Sequence, residues 1–343
     1  MTPDFARIAV VTVNYRTPDL ALDCARALIA ERELLPNLSL VLVDGGSGDG
    51  SADRIADGLA DPAFSGWAEA MPLPINGGYG WANNQAILAL LQAPEPPEFI
   101  YLLNPDAVIE PGAIARLIPH MRTQPRAAAV GSQIIDPDGS RAGSHFRFPT
   151  PRRELVRGAR TGLVDKLLGT SGGGMPPADD LVECDWATGA CVLLRSDALR
   201  DAGIFDDGFF LYFEEIELMW RMRAKGWTIL HDPRSRVMHL GGASTGVTNE
   251  VARRNPPYWY ASQRRFFALT QGKAAAASAT VAWLFGHLLW RLRHLIDRRE
   301  ATGLPLAGRD RLRHGWPQAT DARRSDTAWT RHRLSPPLWQ ENK

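Results

Sequence analysis

Several things are scarce in this chain. Cysteine occurs only at Cys24, Cys184 and Cys191. An odd count without metal-ligand spacing excludes a disulfide scaffold and a cysteine-rich zinc site, and it fits a reducing compartment. No apolar run reaches the roughly 20 residues of a comfortable membrane span. The nearest, residues 274–290, is seventeen long and is interrupted by Ser278, Thr280 and His287. The start, Met1-Thr2-Pro3-Asp4-Phe5-Ala6-Arg7, lacks the charged-then-apolar layout of a signal peptide. No internal repeat is visible. Net charge is small as well, at +1.

That small net charge conceals an asymmetry. Residues 251–343 carry 17 Lys and Arg against 6 Asp and Glu, a net of +11, while residues 1–250 carry 22 against 32, a net of −10. A basic segment of this kind suits an anionic partner, either nucleic acid or a membrane surface. Composition is otherwise that of a folded protein: 45% hydrophobic and 22% charged over 343 residues, enough for one or two domains.

The first strand, Ile8-Ala9-Val10-Val11-Thr12-Val13, is β-branched and almost wholly apolar, as a buried strand requires. Thr17 then stands as N-cap before Pro18, and Leu20, Cys24, Ala27 and Leu28 share a helical face. A second strand over residues 38–43 runs into Asp44-Gly45-Gly46-Ser47-Gly48-Asp49-Gly50-Ser51, with a helix expected from Ser51. Residues 76–84 precede a helix over about 85–91; residues 99–103 form a strand, and residues 108–121 a short strand and helix. Such alternation implies an α/β fold with a mainly parallel sheet covered on both faces. Residues 136–180, rich in Pro, Gly, Arg and Asp, read as an irregular insertion. Residues 182–194 read as strand, 209–223 as helix, and 229–232 and 235–240 as two short extended segments.

Three clusters bear chemistry. Tyr101-Leu102-Leu103-Asn104-Pro105-Asp106 ends an apolar strand in an amide, a proline and a carboxylate. Ligands bind beyond the carboxyl ends of strands in α/β sheets, which suits Asp106 to a metal or polar ligand. The same triplet also makes ordinary turns. Phe209-Phe210-Leu211-Tyr212-Phe213 leads into Glu214, Glu215 and Glu217. On a helix Glu214 and Glu217 share a face and Glu215 points away. Acids in a first turn can simply meet the helix dipole. Beside an aromatic run they also suit a desolvated general base. Finally His239 precedes Leu240-Gly241-Gly242-Ala243-Ser244-Thr245-Gly246. The imidazole is either a packed side chain or a metal ligand beside an anion-binding glycine segment.

With Asp185-Trp186-Ala187-Thr188-Gly189-Ala190, these segments appear in an order that resembles the family 2 inverting glycosyltransferases of the GT-A fold, close to a rhamnosyltransferase-like bacterial group. The resemblance covers residues 6–270. It implies a GT-A-type, Rossmann-like mixed and mainly parallel sheet flanked by helices, with a C-terminal helical extension. It divides the chain into a catalytic domain over residues 1–250, with a nucleotide-sugar half to about 110 and an acceptor half beyond, and a basic helical segment over 251–343.

The resemblance also implies roles. Asn14, Tyr15, Arg16, Asp44, Asn76, Gly77, Gly78, Asn84 and Asn104 would bind a nucleoside-diphosphate sugar. Asp106, with His239, would hold Mg²⁺ or Mn²⁺. Asp185, Trp186, Gly189 and Ala190 would shape the side that takes a glycan or lipid-linked glycan acceptor. The base aligns best with Glu215, 24 positions before His239, with Glu214 the alternative. Relatives often have Asp at that position, and Asn or Asp at Gly45. A sugar nucleotidyltransferase would need a basic, glycine-rich phosphate loop near the first strand, where this chain has Asn14-Tyr15-Arg16. An inactive glycan- or nucleotide-binding module would have no use for the acids.

In the basic segment, Trp283, Phe285, Leu288, Leu289, Trp290 and Leu292 are interfacial residue types, with Arg291, Arg293, Arg298 and Arg299 close by. This favours a helix lying on an anionic membrane surface over one merely packed on the catalytic domain. No nucleic-acid recognition motif is present. The expected location is cytoplasmic, peripheral at the inner face of a bacterial membrane.

Overall fold

Among the described residues nine strands form one open mixed sheet. A computed structural model describes residues 6–240, 254–297 and 306–324. Its strands are β1 Ile8–Asn14, β2 Leu38–Asp44, β3 Ala68–Pro72, β4 Phe99–Leu103, β5 Ala107–Ile109, β6 Ala127–Ile135, β7 His145–Phe146, β8 Val182–Cys184, β9 Trp186–Ala187, β10 Cys191–Arg195 and β11 Thr228–His239. The main sheet runs β3-β2-β1-β4-β10-β6-β11-β5, with β8 also on β11, while β7 and β9 form a separate ribbon. Strands β3, β2, β1 and β4 are parallel; β10 enters antiparallel between β4 and β6.

The two faces follow from the period of two along each strand. Ile8, Val10, Leu40, Leu42, Tyr101 and Leu103 pack against helices Pro18–Leu34, Ser51–Leu59 and Ala113–Thr123. Val11, Val41, Val43, Ile100 and Leu102 face helices Tyr79–Leu91, Ser196–Ala202 and Glu214–Ala224. Both faces are apolar because both are covered. In the parallel register Asn14 lies opposite Asp44, so β1 and β2 deliver two polar side chains to the same end of the sheet.

Several boundaries depart from the sequence reading. The third long helix begins at Tyr79, six residues before the expected Gln85, because Gly78 turns the chain at φ +92° immediately before it. A β-carbon at Gly78 would lie 2.0 Å from the carbonyl oxygen of Phe210. Residues 209–213 are not helical: Tyr212 and Phe213 both take positive φ, near 70°, and the helix starts only at Glu214. The two extended segments near 229–240 are one strand, β11, with a shift of register between Asp232 and Arg236. Pro233 lies in that interval and has no N–H to give a ladder. The region 136–180 is not wholly irregular; it holds β7 and helices Pro151–Ala159 and Gly162–Leu168.

The C-terminal helices join the body directly. Phe209, Phe213 and Ile216 form a cluster with Phe266, Phe267, Ala276 and Ala279. Arg265 pairs with buried Asp206 at 2.6 Å, and the Ser262 hydroxyl donates to the Leu211 carbonyl at 2.8 Å. Helix Lys273–Ile296 crosses helix Pro151–Ala159 at Gly158 and Gly286, where a β-carbon on either would meet the other backbone at 2.3 Å. No helix among the described residues is long and apolar enough to cross a membrane. Gly241 to Gly246, Arg298, Arg299, Trp329 and Trp339 lie outside the described residues.

Candidate active site

The carboxyl ends of β1 and β2 build a floor. Asn14 Nδ2 donates to Asp44 Oδ1 at 2.8 Å, and the Ser47 hydroxyl donates to the same oxygen at 2.6 Å. The Ser47 amide donates to Asp44 Oδ2 at 3.0 Å. Asp44 is therefore buried and bonded through both oxygens. Arg16, at φ +60°, donates its amide to Ser47 Oγ at 2.9 Å and lays its guanidinium over the Tyr15 ring. Above this floor lies a cavity of about 310 Å³ lined by Val13, Tyr15, Gly45, Asn76, Gly78, Tyr79, Phe210 and Tyr258, among others.

The donor set divides accordingly. Tyr15, Asn76 and Gly78 line the cavity, and Asn14, Asp44 and Arg16 hold its base. Gly77 packs against the Trp81 ring. Asn84 does not reach the cavity: it is fully buried, accepts from the Phe205 amide at 3.0 Å, and donates to the Phe205 carbonyl and to Asp207. Its amide fastens the loop that leads to Glu214. Sequence reasoning missed Ser47, Tyr79, Phe210 and Tyr258. Ser47 and Phe210 lie inside the runs at residues 44–51 and 209–213, and Tyr79 inside residues 76–84. Tyr258 arrives from the C-terminal segment, 5.5 Å from the Phe210 ring, and only the packing reveals it.

Beyond β4, the turn Asn104-Pro105-Asp106 meets the end of β11. Because β11 pairs antiparallel with β5, His239 lies opposite Ala107. This brings His239 Nε2 to 3.0 Å from Asp106 Oδ1 and 3.3 Å from Asn104 Nδ2, across more than 130 residues of sequence. No group of three or more His, Cys, Asp or Glu that could hold a metal gathers among the described residues. One carboxylate and one imidazole converging on a point still fit a divalent cation that draws its remaining ligands from phosphate and water, as Mg²⁺ and Mn²⁺ do at nucleotide sites.

The acids complete the arrangement. Glu214 turns inward: a β-carbon on Gly80 would lie 3.4 Å from its Cγ. Glu215 turns outward to Gly189, where a β-carbon would lie 3.4 Å from its own Cβ. Each has an enclosed Oε2 without a hydrogen-bond partner. Burial pushes the Glu215 carboxyl up to about 7. Burial and then the charge of Glu215 push Glu214 well above the carboxylate range. Glu217, which shares Glu214's face, is neutralised by Arg221 at 2.9 Å and by Arg324, a structural pairing. Two consecutive residues at positive φ, Tyr212 and Phe213, set the direction of the helix, a strained entry of the kind found at functional sites.

The 189–190 turn links these parts. Tyr79 donates its hydroxyl to the Gly189 carbonyl at 2.9 Å, and the Asn104 amide donates to the Ala190 carbonyl at 2.9 Å. Burial first, then the charges of Glu214 and Glu215, hold the Tyr79 phenol protonated far above its usual range. Glu215, Gly189, Ala190, Asn104, His239 and Asp106 thus form one continuous rim. Asp185 and Trp186 lie off it. Asp185 accepts from the Phe148 amide at 2.8 Å and pairs with Arg147, while the Trp186 ring stacks on Phe146 at 4.3 Å.

Comparison with known proteins agrees with this geometry. Residues 8–172 match the family model "Glycosyl transferase family 2", and residues 99–298 match "Glycosyl transferase family group 2". An N-acetylglucosaminyl-diphospho-decaprenol L-rhamnosyltransferase of Mycobacterium tuberculosis is 30% identical over 220 residues, covering 61% of this chain and 68% of its own. Rhamnosyltransferase WbbL of Escherichia coli is 26% identical over 170 residues, 47% of this chain and 60% of its own. Among solved structures, a mannosyltransferase from Pyrobaculum calidifontis in complex with GDP-Man and Mn²⁺ superposes with a TM-score of 0.53 at 12% identity, over 88% of this chain and 77% of that one.

Proposed function

The chain belongs to glycosyl transferase family 2, and from that membership we propose that it transfers a deoxyhexose such as rhamnose, with inversion, from a nucleoside-diphosphate sugar to a lipid-linked glycan acceptor in surface polysaccharide synthesis. One observation carries the reading. A partly buried carboxylate, Glu215, with an enclosed oxygen lacking a partner, faces the same rim that ends in Asp106 and His239.

The roles follow from position. The cavity lined by Tyr15, Gly45, Asn76 and Gly78 takes the nucleoside. Asp106 and His239 would hold a divalent cation, which would offset the charge of the diphosphate. The acceptor sugar lies against Gly189 and Ala190. Glu215 removes the proton from the acceptor hydroxyl as that oxygen bonds to the anomeric carbon. The bond from that carbon to the diphosphate oxygen breaks, and the nucleoside diphosphate leaves with the bonding pair. Attack and departure on opposite faces invert the centre. The Mycobacterium relative's printed acceptor, a diphospho-decaprenol sugar, and the WbbL relative's rhamnosyl transfer support this choice of substrates.

Calorimetric titration with UDP, dTDP, GDP, ADP and CMP, each with and without Mn²⁺, tests the reading. Metal-dependent binding of dTDP is the expected result. Failure of well-folded chain to bind any of them would favour an inactive binding module.

The same reading places the chain at the inner face of the membrane. Val281, Phe285, Leu288, Leu292 and Leu295 recur at intervals of three and four on helix Lys273–Ile296 and are all exposed, beside exposed Arg291 and Arg293. Leu163 and Leu167, 76% and 82% exposed, present apolar side chains on a second helix. An apolar stripe bordered by arginines suits an anionic lipid surface. Sedimentation with phosphatidylglycerol vesicles should carry the wild-type chain down. Phe285→Glu with Leu288→Glu should reduce that binding at least about tenfold, since each buried CH₂ contributes about 0.8 kcal/mol. Equal sedimentation of both would refute surface docking by this helix.

A further inference from the structure

Tyr79 touches both halves of the site. It lines the nucleoside cavity, and its amide donates at 3.0 Å to the carbonyl of Phe210, another residue of that lining. Its hydroxyl reaches the rim instead, where it donates to the Gly189 carbonyl at 2.9 Å, 110 residues away in sequence. The ring does not need that bond to stay in place. It meets the Phe205 ring edge-on at 6.3 Å, and the Tyr79 carbonyl accepts from Asn83 Nδ2 at 2.9 Å. A phenylalanine would fill the cavity wall equally well, so the use of the hydroxyl lies at the rim.

Gly189 is buried, and it is the point where the rim meets the base. A β-carbon there would lie 3.4 Å from Glu215 Cβ and 3.9 Å from Tyr79 Cε1, so the turn packs on both side chains at once. Its other ties are the Asn104 amide on the Ala190 carbonyl, at 2.9 Å, and the Ala190 amide on Thr188 Oγ1, at 3.3 Å. Without the phenol hydroxyl the buried Gly189 carbonyl would be left unpaired, and an unpaired buried acceptor is costlier than the bond itself is worth. The turn would then have to swing toward solvent or draw water in beside Glu215. Either response loosens the enclosure of that carboxyl.

The charges nearby are consistent with a fixed donor. Burial, and then the charges of Glu214 and Glu215, keep the phenol protonated, so it gives this bond across the working range of pH. Glu214, on the same helix, and Tyr79, from helix Tyr79–Leu91, are the titratable groups that feel the charge of Glu215. Buried Cys191, at the start of β10, acts on Tyr79. Burial, not a neighbouring cation, is what raises the Glu215 carboxyl.

We propose that Tyr79 is a positioning residue, which ties the acceptor rim to the donor cavity and holds the Gly189 turn closed over Glu215. Small displacements of a reacting group are expensive in rate, so a tie of this kind acts on the chemical step rather than on donor affinity. The names donor cavity and base rest on the function proposed above; the contacts from Phe210 through Tyr79 and Gly189 to Glu215 do not.

Tyr79→Phe tests the tie, because it keeps the ring and removes one bond. Its calorimetric affinity for dTDP with Mn²⁺ should stay within about twofold of the wild-type value, while kcat falls about tenfold or more, the scale of one buried hydrogen bond. Tyr79→Leu should weaken dTDP binding as well. In Tyr79→Phe the low-pH limb of kcat/KM should move down from about 7 toward the 4.5 of an ordinary glutamate, since water beside Glu215 favours its charged form. A loss of kcat with the limb unmoved would mark a merely structural role and overturn the proposal, as would wild-type kcat. A stability cycle reads the same tie without any transfer. The difference in unfolding midpoint between the wild-type chain and Glu215→Gln, followed across this pH window, should shrink by about half or more when both carry Tyr79→Phe. An undiminished difference would overturn the proposal whatever the assays show. A diminished one in a chain that binds no nucleotide would uphold the tie and remove the transferase reading.

Discussion

Glu215→Gln should transfer sugar about 10²–10⁴-fold more slowly than the wild-type chain while binding the nucleotide donor as before, the range expected when a general base is lost. The reason is positional. Glu215 presents its side chain to the Gly189 turn on the rim, whereas Glu214 packs inward against Gly80. Glutamine keeps the shape and removes only the basic oxygen. Glu214→Gln should retain most of the transfer rate, because that carboxyl faces Gly80 rather than the rim, and burial and its neighbour raise its pKa. Steady-state rates with matched donor titrations would decide the matter. Near-normal transfer by Glu215→Gln, or the larger loss in Glu214→Gln, would sink the assignment.

The pH profile provides an independent check of the same carboxylate. The Glu215 carboxyl is raised from 4.5 to about 7 by burial. A base acts only when deprotonated, so kcat/KM should climb with pH and level off above about 7. Stability runs the other way. A carboxyl that holds its proton more tightly when folded contributes stability fully present below about 4.5 and lost as pH rises through about 7. Activity and the midpoint of unfolding should therefore move in opposite directions across this window. The low-pH limb of kcat/KM should disappear in Glu215→Gln.

Much of this site was legible in the sequence, and the exceptions have physical causes. The strand ending in Asn104-Pro105-Asp106 could be read because β4 is uniformly apolar and its end is abrupt. Strands β3 and β6 were not read. β6 opens with three alanines and separates Val130 from Ile134 and Ile135 by Gly131, Ser132 and Gln133, while β3, Ala-Glu-Ala-Met-Pro, has no β-branched residue and ends in proline. The late helix start at Glu214 was hidden because Phe209 to Phe213 look like one apolar helical face, while the backbone turns through two positive-φ residues. The family resemblance put Asn84 among the donor-binding residues. Only the fold reveals that Phe205 and Asp207 consume it.

Asp106→Ala should abolish the Mn²⁺ dependence of donor binding and slow transfer by about 10²–10³-fold, corresponding to the several kcal/mol that a metal contributes against developing phosphate charge. The carboxylate is buried at the turn after β4, and its oxygen lies 3.0 Å from His239 Nε2, so the two side chains can share one cation. The loss should fall on metal-dependent binding rather than on the nucleoside cavity, whose lining lies at the other strands. Residual metal-free affinity for dTDP should therefore match the wild-type chain. Asp106→Asn separates charge from packing. It keeps a side chain of the same size against His239 but removes the negative charge that holds a divalent ion. It should resemble Asp106→Ala in the titration while retaining more thermal stability. Unchanged metal dependence in either variant, measured by calorimetry with and without Mn²⁺, would show that the diphosphate charge is met elsewhere. Arg16, the cation beside the Ser47 turn, would then be the group to replace next.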